Sequence, residues 1–326
     1  MTIMHSIVLL SRPLKAACVS LAIAVCACAS AQTFPIKPLR IIVPFPAGGA
    51  QDILARTLAD GLSTRLKQPV IVENRSGAAG NIGAEALAKA SPDGYTLGIL
   101  SGVHSANAAF YRKLPYSFER DFVPVSAIGD SAVLLVASNQ APFKTVGEML
   151  AYGKANPGKI NFGSTTSLTM DLLKVQTGVD VTMITYKGLG EVLQDLMGGR
   201  IELGAGPSPQ LIPLIKEGKI RALGLASRKR IAELPGVATV AETIGGYDAG
   251  MWYGLFAPVG TPAALVSRIA HETAQVLSSK STRDKLLMQG IDPDFSAASP
   301  QVIGDRIQTE IARWRRVAAA TGNYAN

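Results

Sequence analysis

The chain has 326 residues, a formal net charge of +8 and three cysteines, Cys18, Cys26 and Cys28. All three lie in the first tenth of the sequence, so a processed chain has no thiol, which excludes disulfides, thiolate nucleophiles and cysteine metal sites. The positive residues are dispersed, the densest groups being Arg228-Lys229-Arg230 and Arg313 with Arg315-Arg316, the latter beside Trp314 on a helix and expected on its solvated face, so the balance favours anionic small molecules over nucleic acid.

Arg12 and Lys15 precede an apolar stretch from Ala16 to Ala29, and Ala29-Ser30-Ala31 has the small-x-small form of a cleavage site. Residues 1–31 therefore read as a secretory signal peptide, with an apolar part too short for a good membrane span; the alternative, a lipoprotein signal using Cys26 or Cys28, has a poor sequence context. Cleavage near Ala31 places the mature chain in the periplasm. It leaves 295 of the 326 residues, enough for two core-forming domains, and losing Arg12 and Lys15 lowers the formal charge from +8 to +6.

Arg40 to Arg56 reads as a strand, a turn and a helix. Ile41, Ile42 and Val43 have the apolar β-branched pattern of a covered parallel strand. Pro44 and Pro46 end it, Gly48 and Gly49 turn the backbone, and Leu54, Leu58, Leu62 and Leu66 form one stripe of a helix. A helix start at the end of a parallel strand is an anion-binding arrangement. Further strands are expected at Pro69–Asn74 and Tyr95–Leu100, with a glycine-rich loop and a helix between them.

A second series of strands begins near Ala132 and is expected at 159–162, 181–185, 200–205 and 219–226. Thr145 and Glu148 are spaced as a capping box. Met251 starts a last strand-like run, and Thr261-Pro262 and Ser299-Pro300 each announce a helix. Alternating strands and helices predict an α/β fold with parallel sheets. The expected domains are 32–130 plus 251–326 and 131–250, with crossings near Asp130 and Gly250 as a hinge. The cleft between two sets of strand ends is the expected ligand site.

The segments PFPAGGAQD, VENRSGAAGNIGAEALAKASPDGYTL, KLPYSFERDFVPVS, YKG, LMGGRIEL, GKIRALGLAS, LPGVATVAE and WYGLFAPVGTP follow one another along the mature chain. In this order they resemble the extracytoplasmic solute receptors of tripartite tricarboxylate transporters, the Bug-type receptors. The resemblance implies a two-domain periplasmic-binding-protein type II fold with a hinge and an interdomain ligand cleft. It also implies a small organic carboxylate as ligand, a membrane permease as partner, a monomer, and neither cofactor nor metal.

Carried over by position, the first ligand loop is Phe45, Pro46, Ala47, Gly48 and Gly49. Asp52 follows it as a structural cap on the helix start. The second loop holds Ser101, Gly102, His104, Ser105 and Asn107. The second domain offers Ser164, Thr165, Thr166, Tyr186 and Lys187. The loop from Gly163 to Leu168 is shorter than the family pattern, and Gly204 to Pro207 has no acidic side chain, which favours a ligand without an ammonium group.

No catalytic residue is expected. His104 has no nucleophile or partner base at motif spacing, and the chain has no G-x-S-x-G elbow, zinc His pair or carboxylate dyad. The alternatives to a transport receptor are an exported receptor feeding a signalling partner and, behind it, an exported cleft enzyme.

Overall fold

Strand β1, Leu39–Val43, buries Leu39, Ile41, Ile42 and Val43 and has a parallel neighbour on each side. These are β2, Val70–Asn74, and β3, Thr96–Ser101. A strand covered on both faces needs an unbroken apolar run, and this sequence has one. The computed structural model describes residues 34–186, 188–293, 300–322 and 324–325. The signal-peptide reading of residues 1–31, the site residue Lys187 and the cap Ser299 lie outside the described residues.

Helix α1, Ala50–Leu66, follows β1; α2, Asn81–Ala88, precedes β3; and α3, Gly102–Phe110, leaves β3 directly. Next comes β4, Phe122–Ser131, a strand that the sequence pattern does not announce. It pairs antiparallel with β10, Met251–Pro258, and the short β11, Ile291–Asp292, adds to its other side. The first sheet has the order β11-β4-β10-β3-β1-β2. It is mixed rather than parallel throughout, because β10 runs antiparallel to β3 as well.

The second sheet is built from β5, Val133–Ala137, β6, Asn161–Ser164, β7, Thr182–Thr185, β8, Leu203–Pro207, and β9, Arg221–Leu225. Its order is β7-β6-β8-β5-β9. Strand β6 is parallel to β7 and β8, whereas β5 is antiparallel to β8 and β9. Four helices accompany it: α4, Val146–Ala155, α5, Leu168–Thr177, α6, Leu189–Met197, and α7, Ser208–Lys216. At the start of α4, Thr145 Oγ1 accepts from Glu148 N at 3.1 Å. The Glu148 carboxylate takes Lys144 N at 2.7 Å, one residue ahead of the position a capping box requires.

The C-terminal part has three helices among the described residues rather than the two announced by proline. These are α8, Ala263–Ser278, α9, Lys280–Met288, and α10, Pro300–Thr321. Pro262 is the cap of α8 and not its first helical residue, while Ser279 Oγ caps α9 by accepting from Thr282 N at 3.3 Å. Helix α10 joins both cores. Ile303, Ile307 and Ile311 pack with Trp252, Phe118, Phe122 and Phe256 of the first sheet layer. One and more turns on, Trp314, Val317 and Ala318 belong to the cluster of Leu135, Phe162 and Leu203 in the second. The fold is a two-domain α/β arrangement of the type II binding-protein kind.

Candidate functional site

A cavity of about 150 Å³ opens where the two sheets meet. The crossing strands supply Ser131, Val133, Ala249, Gly250, Met251 and Tyr253. Gly102 comes from the start of α3, Ser164 to Thr166 from the end of β6, Leu168 and Thr169 from the first turn of α5, and Ala205 to Pro207 from the end of β8. Helix α10 contributes Glu310, Arg313 and Trp314.

Three helices thus begin at this wall: α3 at Gly102, α5 at Leu168 and α7 just after Pro207. The first amides of a helix have no intrahelical acceptor, and the aligned peptide dipoles leave partial positive charge at that end. Several such starts beside an arginine make the cavity suited to an anion. The hydroxyls of Ser131, Thr165, Thr166 and Tyr253 add neutral donors. Burial pushes the Tyr253 phenol up to about 12, so it stays protonated at neutral pH.

Of the residues expected to bind ligand, Gly102, Ser164, Thr165 and Thr166 line the cavity. Gly102 has no room for a side chain, since a Cβ there would stand 3.0 Å from Trp252 Nε1 and 3.5 Å from Glu310 Oε2. Ser101 is buried beneath it, where its Oγ accepts from Gln51 Nε2 at 3.1 Å. That bond ties α1, and with it the first loop, to the end of β3.

His104 is also buried. Its Nδ1 accepts from Ser101 N at 3.1 Å and closes a capping box around the first turn of α3. This bond leaves the proton on Nε2, which lies against the Gly80 backbone without a hydrogen bond of good geometry. The ring is packed between Phe45 and Phe118, with centroids 6.3 Å and 5.8 Å away. Burial pushes its pKa down to about 4, so the imidazole is neutral and structural at pH 7. Ser105 is fully buried. Asn107 braces the turn before α2 by donating to Ala79 O at 2.9 Å and Asn81 Oδ1 at 2.8 Å.

The first loop is placed differently. Phe45 is half-buried against His104, and Pro46, Ala47, Gly48 and Gly49 are exposed outside the cavity lining. Gly48, at φ +83°, gives its amide to Asp52 Oδ2 at 2.9 Å. Asp52 also receives Arg56 Nε at 2.9 Å and Asn74 Nδ2 at 2.9 Å. Burial pushes Asp52 up, but the bonds from Arg56, Gly48 and Asn74 together hold it below the usual carboxylate range. It is an ionised cap on the loop and α1.

Tyr186 is likewise away from the cavity lining. Its hydroxyl donates to Asp195 Oδ2 at 2.8 Å, and its ring lies over Gly163, where an added Cβ would come within 2.9 Å.

Helix α10 holds the groups that sequence reasoning missed. Glu310 is buried and lines the cavity, its Oε2 accepting from Trp252 Nε1 at 2.7 Å. Burial raises its pKa, against the lowering by Trp252, Arg306 and Arg313. Arg313, expected on a solvated face with Arg315 and Arg316, instead turns into the cavity, while those two are exposed. The available signal was Glu310 itself. It stands in the stripe Ile303, Ile307, Glu310, Trp314 and Val317, where helical spacing calls for an apolar side chain.

Among the described residues no group of three or more His, Cys, Asp or Glu is placed to hold a metal ion, and no helix is long and apolar enough to cross a membrane.

Residues 54–322 match the family model described as tripartite tricarboxylate transporter family receptor. The chain is 36% identical over 304 residues to the Bordetella pertussis protein BugT, covering 90% of this chain and 92% of that one. Among solved structures it is similar to a Rhodopseudomonas palustris protein with adipate, at a TM-score of 0.77 and 35% identity, covering 89% of this chain and 98% of the other. It is also similar to MatC of the same organism with bound malate, at a TM-score of 0.74 and 32% identity, covering 87% and 99%.

Proposed function

The chain belongs to the tripartite tricarboxylate transporter receptor family, a family of solute receptors rather than enzymes, and on that footing we propose that it captures a small organic carboxylate in the cavity between its two sheets and presents it to a membrane permease. One observation carries this reading: the starts of α3, α5 and α7 meet at a single wall. Those of α3 and α5 offer helix-start amides to an anion, while α7, whose Ser208 N is taken by Ala132 O and whose Pro209 has no N–H, adds its dipole. The similar proteins solved with adipate and malate bind carboxylates, which fits the same chemistry.

In this proposal the carboxylate sits against Gly102 and the Ser164–Thr166 turn, within hydroxyl and amide reach. The Phe45–Gly49 loop, linked to Ser101 through Gln51, forms the outer part of the site. The segments 32–130 plus 251–326 and 131–250 act as two lobes, and their crossings at Ser131–Val133 and Ala249–Met251 hinge at the cavity wall. The leader at residues 1–31 exports the chain, as a monomer, to the periplasm. Charge-assisted hydrogen bonds of about 1.5–3 kcal/mol each, made as the cleft excludes water, are sufficient for capture.

A thermal-shift panel of mono- and dicarboxylates on the mature protein tests capture. A matching acid at a hundredfold excess over its Kd stabilises the fold by about 2.7 kcal/mol. A panel with no shift, or with equal shifts from uncharged compounds, is the contrary result. Uptake of the identified acid by cells lacking the protein tests the permease link.

A further inference from the structure

Arg313 lies in the cavity wall with its charge only loosely engaged. Its side chain is 18% exposed, and its Nε is buried without a partner. Nη1 stands 3.6 Å from Asp248 Oδ2 and Nη2 3.9 Å from Glu310 Oε1, both beyond hydrogen-bond reach. Each of those acids has a closer partner. Arg228 Nε reaches Asp248 Oδ2 at 2.7 Å, and Glu310 is held by Trp252 Nε1 at 2.7 Å and Arg306 Nε at 3.4 Å. Arg313 therefore has spare donors, and of the arginines in this network it is the one that lines the cavity. The Trp314 ring, 5.0 Å from its carbon, supports the plane of the group. A planar fork of donors in a partly buried wall is matched by a carboxylate from outside the protein.

The second anion-binding element is adjacent. Gly102, at the start of α3, faces Glu310, since a Cβ on it would stand 3.5 Å from Glu310 Oε2. Arg313 follows Glu310 by three residues on α10, a rise of ~4.5 Å. Gly102 and Arg313 both line the one cavity, so a single ligand can meet the helix start and the guanidinium together.

We infer that Arg313 is a ligand-binding residue that pairs with a second carboxylate, so that the cleft selects dicarboxylates over monocarboxylates. This rests on the carboxylate reading above. It adds a cationic contact from the C-terminal helix to the amide and hydroxyl contacts. Glu310, the acid nearest this contact, is already engaged by Trp252 Nε1 at 2.7 Å and Arg306 Nε at 3.4 Å.

Calorimetric titration of wild type, R313Q and R313K with adipate, malate and hexanoate tests the inference, with unliganded melting temperatures as the folding control. R313Q should weaken adipate and malate tenfold or more, about 1.4 kcal/mol per tenfold, and leave hexanoate within about twofold. R313K, which keeps the charge but not the fork, should fall between. Where hexanoate binds too weakly to titrate, the order of R313K and R313Q decides. Diacid binding unchanged in R313Q, equal loss of hexanoate and diacids, or equal losses in R313K and R313Q each overturn the assignment. Tight binding of hexanoate alone by wild type also overturns it while leaving carboxylate capture standing. Binding of none of the three acids overturns the assignment and leaves carboxylate capture to be decided by the thermal-shift panel.

Discussion

Replacing His104 by glutamine should flatten the acid side of the stability profile. His104 is enclosed by Phe45, Phe118 and the Gly80 backbone, and burial brings its pKa from 6.5 down to about 4. Between those values the unfolded chain takes up a proton that the folded chain refuses. A depressed histidine pKa thus makes stability fall as pH drops through that window. The difference is about 3 kcal/mol over the full window and about 2 kcal/mol between about pH 7.5 and pH 5. Glutamine at this position keeps an acceptor for the Ser101 amide, as a capping box requires, and does not titrate. Urea unfolding of both proteins at the two pH values, with midpoints and slopes fitted separately, gives a difference of differences. Any constant cost of the substitution cancels. An acid-side loss as large in H104Q as in wild type would refute the claim that His104 is held neutral by burial.

Three further substitutions probe the frame around the cavity. D52A removes the acceptor of Gly48 N, Arg56 Nε and Asn74 Nδ2 and should cost about 1–3 kcal/mol at pH 7. Because the folded pKa of Asp52 is lowered, that contribution should shrink as pH falls below about 4, as urea melts would show. G83A sets a Cβ 2.6 Å from Pro44 Cα and 2.8 Å from Arg75 O, both backbone. It should destabilise by about 1–3 kcal/mol despite the better helix propensity of alanine, as read by thermal melting. E310Q acts with the opposite sign to His104. A carboxyl with a raised folded pKa contributes most when protonated, so wild type should lose stability relative to E310Q as pH rises above about 4.5, the unfolded carboxyl value.

The first unit was legible because its residues obey one rule each. Ile41 to Val43 are covered on both faces, Pro44 ends the strand, and Leu54, Leu58 and Leu62 face the core. Strand β4 was not, because Pro124 and Gly129 interrupt it and its pairing with β10 shifts register twice. Its strand character comes from lying between β10 and β11, which no local pattern records. The turn holding Ser164 to Thr166 could be placed at the site from strand ends alone. Arg313 could not, because in the run Arg313-Trp314-Arg315-Arg316 only the packing of α10 across both cores decides which arginine turns inward. The first loop reads as an anion site by its glycines, yet its Gly48 amide is engaged by Asp52, a partner four residues on.

Carboxylate capture between the sheets is tested most directly by tryptophan emission. The chain has two tryptophans, Trp314 in the cavity wall and Trp252 bonded to Glu310 behind Gly102. Adipate or malate titrated into the mature protein should change this emission saturably with one site per chain. The corresponding diamide should bind at least tenfold more weakly, because it loses the charge-assisted bonds. Equal responses to acid and diamide, or calorimetric binding of the acid with no change in emission, would contradict the account.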